Sequence, residues 1–367
     1  MSIAVKNSDN LFNLYENYFD ETDLTLSDFA NLNKSELLSS LIKEAEYLNA
    51  NKYNISEKDI ESIHYILIKL SIIARVDLIT VMSSIKHKDI SFRNSLKYSK
   101  SVIDCCLKII IKLLSNMDSE QINLYCMDKF INNDIISHTS RVFITAIRFM
   151  KYYNSSINNN IIVDIRKKFN IKYAEYYRSV FDKFNINKKI SKLEHVYKYG
   201  LRDILFNEIV NISIAAFWHD ISNVFNSYNS DYSAEKCHSY LKYFIRYNDD
   251  ISLTVGLHNE YYGYGSGVFL NCYNAYINSN NFYYPDYAVS FDYNDTLKLK
   301  SISYFPSKVL ELINLFDGIN YSYNNILNNN DALLLIKENY LDMKVKIDPI
   351  IFDIFSSFVY YNEKLIA

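Results

Sequence analysis

All six glycines of this chain lie at position 200 or later, and all three prolines at 285 or later. Gly and Pro are the strongest local breakers of regular backbone. A first stretch of 199 residues without either reads as helix after helix, with Asn, Ser and Asp at the turns. The apolar spacing agrees. In Ser56–Met82, Ile60, Ile63, Ile66, Leu67, Leu70 and Ile73 recur at three- and four-residue steps, which marks one face of a helix. Ser101–Leu114 repeats the pattern with Val102, Ile103, Cys106, Leu107, Ile110, Leu113 and Leu114. Ser56, followed by Glu57 and Asp59, puts a capping hydroxyl and acids where the helix dipole favours negative charge. Asp118 with Gln121 reads as a weaker cap.

The expected fold is therefore all-α. At 367 residues the chain is long enough for two domains, or for one large domain with an extension. The polar turn Lys86–Arg93 suggests an N-terminal helical module over 1–97, a sensor or dimerisation element, and a larger domain over 98–367 with a helical insertion near 160–198. Helix is expected again over Pro306–Ile319, Asn330–Tyr340 and Asp348–Tyr361, the last with a proline at its first turn. Tyr261–Tyr287 reads as a long loop. Asn, Ile, Lys and Tyr are abundant, as AT-rich codons would make them. Asn158–Asn160 and Asn328–Asn330 are accordingly read as loops without chemistry.

Charge and composition narrow the function. The 39 Lys+Arg against 42 Asp+Glu give a net charge of -3 and no basic stripe, which argues against nucleic acid. Hydrophobic residues at 49% argue against disorder over most of the chain. The longest apolar stretch, Ile63 to Met82, is broken by His64, Lys69, Arg75 and Asp77, so no membrane span is expected. The N-terminus lacks the charged and apolar regions of a secretory signal. Five cysteines, odd in number and without a CxxC pair, fit a reduced, cytoplasmic chain. The adjacent Cys105 and Cys106 point to opposite sides of a helix, and Cys237 reads as a small core residue.

Chemistry concentrates in the seven histidines. His219-Asp220 closes the apolar run Ile212–Trp218 and sets an imidazole beside a carboxylate, a donor pair suited to first-row transition metals. Asp134 and His138 lie four residues apart on one helix face. His238 and His258 follow, the latter in His258-Asn259-Glu260. His195 competes with His138 for the upstream ligand position. His138 is preferred because Arg141-Val142 and Asp134 accompany it. His64 and His87 have no acidic or thiol partner at ligand spacing and are expected at the surface or a boundary.

Five segments in order resemble the HD-GYP subfamily of the HD-domain phosphohydrolases. They are His138-Thr139-Ser140-Arg141-Val142, Ala216–Ile221, His258–Gly265, the helix Ser307–Gly318, and Ile347-Asp348-Pro349. The resemblance covers roughly residues 98–360. It implies an HD-domain-like helical bundle with two transition-metal ions, iron or manganese, hydrolysing cyclic di-GMP or a related nucleotide. One ion would be held by His138, His219 and Asp220. The second would be held by Asp220, His238 and His258, with Asp220 bridging and Asp134 at an acidic position that supports a third ion in some members. His219 and Asp220 would carry the catalysis, a metal-activated water attacking phosphorus. Glu260, Tyr262, Gly263 and Gly265 would face the substrate, with Tyr261, Tyr262 and Tyr264 available to stack on a guanine.

This chain departs from the pattern at defined positions. Asn314 replaces a ligand aspartate, Asn259 a histidine and Asn223 a lysine, while Ser266-Gly267 stands for Tyr-Pro. The alternative expectation is thus a catalytically impaired domain that binds a nucleotide or a protein. A general HD phosphohydrolase for other nucleotides is a third. The partners implied are a cyclic dinucleotide, a diguanylate cyclase or other signalling protein, and a second copy in a homodimer.

Overall fold

Helices occur in every described segment, both in the first 199 residues, which lack glycine and proline, and beyond them. The structure, a computed structural model, describes residues 34–51, 56–87, 92–117, 135–183, 189–197, 200–222, 233–265, 304–321 and 328–366. No strand occurs among them. By packing, the chain divides into one unit of residues 1–113 with 221–230 and a second of 114–220 with 231–367. The 97/98 boundary read from the sequence falls inside an unbroken helix, Phe92–Asn116.

The first unit contains α1 (Lys34–Ala50), α2 (Glu57–His87) and most of α3 (Phe92–Asn116). The expected cap of α2 forms. Ser56 Oγ and its backbone N–H both donate to Asp59 Oδ2 at 2.7 Å, and the Asp59 N–H returns a bond to Ser56 Oγ at 3.3 Å. Lys34 pairs with Asp77, and Ser39 meets the Tyr98 hydroxyl at 3.4 Å, so α1 is tied to both neighbours. His64, expected at the surface or a boundary, is only 2% exposed and lies beside Ile63 on the buried side of α2. Cys105 is exposed and Cys106 buried, where burial pushes its thiol up to about 12.

The second unit begins with α4 (Ile135–Asn158), buried almost all round from Val142 to Met150, as a central helix must be. Against it pack α7 (Phe206–Trp218), α10 (Tyr304–Asn320) and α12 (Pro349–Ile366), and α9 (Asp249–Leu257) packs on α7 and α10. Phe149 of α4 meets Phe355 and Phe358 of α12 at ring distances of 5.3 and 5.6 Å, and Phe316 of α10 meets Phe355 at 5.1 Å. Between α4 and α7 come α5 (Ile161–Lys172), α6 (Ala174–Lys183) and the short turn Leu193–His195, within the expected insertion. Before α9, α8 (Ser233–Ser239) continues into a wider turn, Tyr240–Ile245. After α10, α11 (Asn329–Lys337) is followed by the turn Glu338–Asp342.

The Asn328–Asn330 run is a helix start rather than a loop. Asn328 accepts the Asp331 N–H at 2.8 Å and caps α11, a role its short amide suits. Among the described residues no helix is long and apolar enough to cross a membrane.

Candidate metal centre

Four helices deliver the site. The apolar end of α7, buried from Ile212 to Trp218, drives the chain inward so that the next residues, His219 and Asp220, are 0% and 9% exposed. From the first turn of α4 comes His138. Asn314 and Asp317, three residues apart on one face of α10, approach from the other side. His258 follows directly on α9 and is wholly buried.

The donor atoms of His138, His219 and Asp220 all lie within 4.8 Å of one another. His138 Nε2 is 3.2 Å from His219 Nε2, and the Asn314 Oδ1 sits 2.9 and 3.2 Å from the two nitrogens. Asp220 Oδ2 is 3.5 Å from each. Donors about 2.1 Å from a common ion stand about 3.0–3.4 Å apart in octahedral or tetrahedral arrangement. The four atoms therefore have the spacing of a ligand set.

The other nitrogen of each ring is already committed. The Ala216 and Val255 carbonyls lie 2.7 and 2.6 Å from Nδ1 of His219 and His258. A carbonyl only accepts, so each Nδ1 carries the hydrogen and each Nε2 keeps a lone pair. His258 Nε2 is buried without a hydrogen-bond partner. His138 Nδ1 meets Asp317 Oδ2 at 2.6 Å, and Arg141 grips the same carboxylate twice, at 2.8 and 2.9 Å. An Arg–carboxylate–imidazole chain thus orients His138 from behind.

Electrostatics make the cluster a cation seat. Burial alone would depress His138, but Asp220 and Asp317 override it and hold the imidazole up to about 10. Burial would raise Asp220, yet His219 and His138 keep it ionised, well below the usual carboxylate range. Asp317 is held down against burial by His138 and Arg141. His219, with burial dominating, falls to about 4, and burial also lowers His258.

The remaining sequence candidates divide. Asn314 lies within the donor set. His258 packs edge-on against His219 at a ring distance of 5.3 Å. His238, 8% exposed, stands apart: Lys242 and Asp249 are the charges that bear on it, and burial lowers it to about 4. Asn259 is half-buried, and its carbonyl oxygen would lie 1.9 Å from a Cβ on Gly265, so that position admits only glycine. Glu260 is largely buried and its carbonyl accepts the Gly263 and Gly265 N–H groups at 2.8 and 3.1 Å. Tyr262 is buried, and its hydroxyl is bonded to Asp348 at 3.1 Å, whereas Tyr264 stays exposed with the Lys183 Nζ 3.2 Å from its ring centroid. His195 takes the Ser191 N–H on Nδ1 at 3.2 Å, away from the cluster. Asp134 and Asn223, like Ser266 and Gly267, lie outside the described residues.

Three features escaped the sequence reading. The first is the Asp317–Arg141 pair, whose one sequence signal is the three-residue step from Asn314 to Asp317 on a helix face. The buried pair Lys308–Glu311 holds the loop after His258, because Glu311 accepts the Tyr261 N–H at 2.6 Å. Burial pushes Glu311 up to about 7 despite Lys308 and that N–H. Asp348 gathers several hydroxyls that sequence alone gave no reason to connect. Compared with protein-family models, curated proteins and solved structures, the chain matches none.

Proposed function

We propose that the second unit is an HD-domain-like, HD-GYP-type metal-dependent phosphodiesterase acting on cyclic di-GMP or a related nucleotide. The observation that carries the reading is the donor set itself: two imidazole nitrogens 3.2 Å apart, an amide oxygen 2.9 and 3.2 Å from them, and an ionised carboxylate 3.5 Å from each nitrogen, gathered in a buried position. Mixed nitrogen and oxygen donors of this kind suit iron or manganese. His138, His219, Asp220 and Asn314 would hold the first ion, with Asp317 and Arg141 fixing the His138 ring. Asp220 and the open Nε2 of His258 support a second. When bound, such ions polarise a phosphoryl oxygen and activate water. The turn from Glu260 to Gly265 then borders the substrate, and Tyr261 contributes a hydroxyl kept neutral by burial and by the nearby Glu311, Tyr340 and Asp220.

Asn314 favours a second reading, a domain that binds without turnover, because a neutral amide stands in the donor set where a carboxylate would bind an ion more tightly. Cyclic di-GMP hydrolysis by anaerobically purified protein loaded with iron or manganese, with metal content assayed alongside, separates the two. Turnover that vanishes in Asp220→Ala is the expected result. Bound metal without turnover, recovered in Asn314→Asp, would establish the impaired domain. Protein that takes up no metal would overturn the phosphodiesterase, and protein that neither takes up metal nor binds the nucleotide would overturn both.

A further inference from the structure

Described residues of the insertion between α4 and α7 bond both to one buried carboxylate, Asp348, and to the loop that follows His258. Asp348, 1% exposed, sits at the N-terminus of α12 and accepts the Ile350 and Ile351 N–H groups at 3.0 Å each. Three phenols converge on the same group. Tyr177 of α6 donates at 2.9 Å, Tyr197 from the end of the insertion at 2.7 Å, and Tyr262 at 3.1 Å. Tyr262 is also held at its other polar and aromatic positions. Its carbonyl accepts from Lys183 of α6 at 2.7 Å, and Lys308 Nζ lies 4.2 Å from its ring centroid.

The backbone at this point needs holding. Tyr261, Tyr262 and Gly263 have φ of 46°, 50° and 76°, three consecutive left-handed residues of which only the last is glycine. Non-glycine residues keep such angles only where their surroundings over-determine them. Between Tyr262 and His258 the backbone is bonded at several points. The Glu260 N–H bonds to the Leu257 carbonyl at 3.1 Å, the Gly263 N–H to Glu260 at 2.8 Å, and the Tyr261 N–H to Glu311 at 2.6 Å. The turn that carries Tyr262 is thus bonded into the residues that directly follow His258.

We propose that Asp348 and the insertion are positioning elements of the metal centre: the Tyr262 hydroxyl, seated on Asp348 beside Tyr177 and Tyr197, fixes the left-handed turn that sets His258. The inference rests on the reading of the cluster as a metal site, and it gives the insertion a role in that site without contact with the ion.

Co2+ titration of the full chain, followed by visible absorption, tests it. Tyr262→Phe keeps the ring and removes the hydroxyl that bonds Asp348. It is expected to weaken Co2+ binding by about tenfold, the low end for partners that orient ligands, and to shift the absorption in the same direction as His258→Ala, with the helical circular dichroism unchanged. In a His258→Ala background the same substitution is expected to add nothing, because the two act in series. Tyr197→Phe, which removes another of the hydroxyls on Asp348, is expected to move affinity the same way by a smaller factor. It also carries the test if Tyr262→Phe fails to fold. Unchanged affinity and spectrum in Tyr262→Phe, or an equal loss with and without His258, would overturn the inference while leaving the metal centre intact. Equal Co2+ binding by wild type and Asp220→Ala would remove the metal-centre reading itself.

Discussion

His238 shows how much one buried imidazole can weigh. It is nearly enclosed, its Nε2 has no hydrogen-bond partner, and burial and then Lys242 hold it down to about 4 against an ordinary value of 6.5. A histidine depressed in the folded state binds fewer protons there than when unfolded. Stability is then greatest above pH 6.5 and falls as pH drops towards 4, by up to about 3 kcal/mol for a shift of this size. Urea unfolding of wild type and His238→Gln at pH 7.0 and 5.0 is expected to show the wild type losing more stability between the two. Equal losses would mean that the imidazole is not held neutral. Sequence singled out this histidine for its chemistry but could not tell that its surrounding charges would be Lys242 and Asp249 rather than Asp220. His138, His219 and Asp220 were legible because each sits in a short, recognisable string. Asp317 was not, since its meaning depends on His138 and Arg141, which lie 179 and 176 residues away along the chain.

Whole elements were easier to read than their partners, because a helix announces itself locally. The period of α2 and the cap at Ser56 are both properties of a dozen adjacent residues. What sequence obscured was the role of residues that the composition makes common. With 34 tyrosines in the chain, nothing marked Tyr177, Tyr197 and Tyr262 as a group until packing brought their hydroxyls to Asp348. Asparagine is likewise common here and caps helices as well as filling loops: Asn328, in a run that reads as loop, caps α11, and Asn248 caps α9. Its side chain accepts the Ile251 N–H at 3.1 Å and starts α9, the nine-residue helix whose next residue is His258. Asn248→Ala is expected to cost about 1 kcal/mol of stability, read as a lower urea midpoint with unchanged slope. Asn248→Asp, which keeps the capping oxygen, is expected to restore it.

On the scale of the whole molecule, the candidate centre belongs to one unit only, since His138, His219, Asp220, His258, Asn314 and Asp317 all fall within residues 114–220 and 231–367. Its donors come from α4, α10 and the ends of α7 and α9, elements far apart in sequence that meet only when the unit is folded. An ion seated on them binds the folded unit and not the unfolded chain, so it must stabilise the fold by mass action. At one hundred times its dissociation constant the gain is about 2.7 kcal/mol, which for a unit of this size corresponds to roughly 5–10 °C in melting temperature. Differential scanning calorimetry with manganese and then with excess chelator is expected to show that shift and its reversal. The Asp220→Ala variant is expected to melt at one temperature under both conditions, because removing the carboxylate takes away the only anionic donor in the set. A manganese effect of equal size in that variant would place the binding elsewhere on the chain and detach the buried cluster from any metal chemistry.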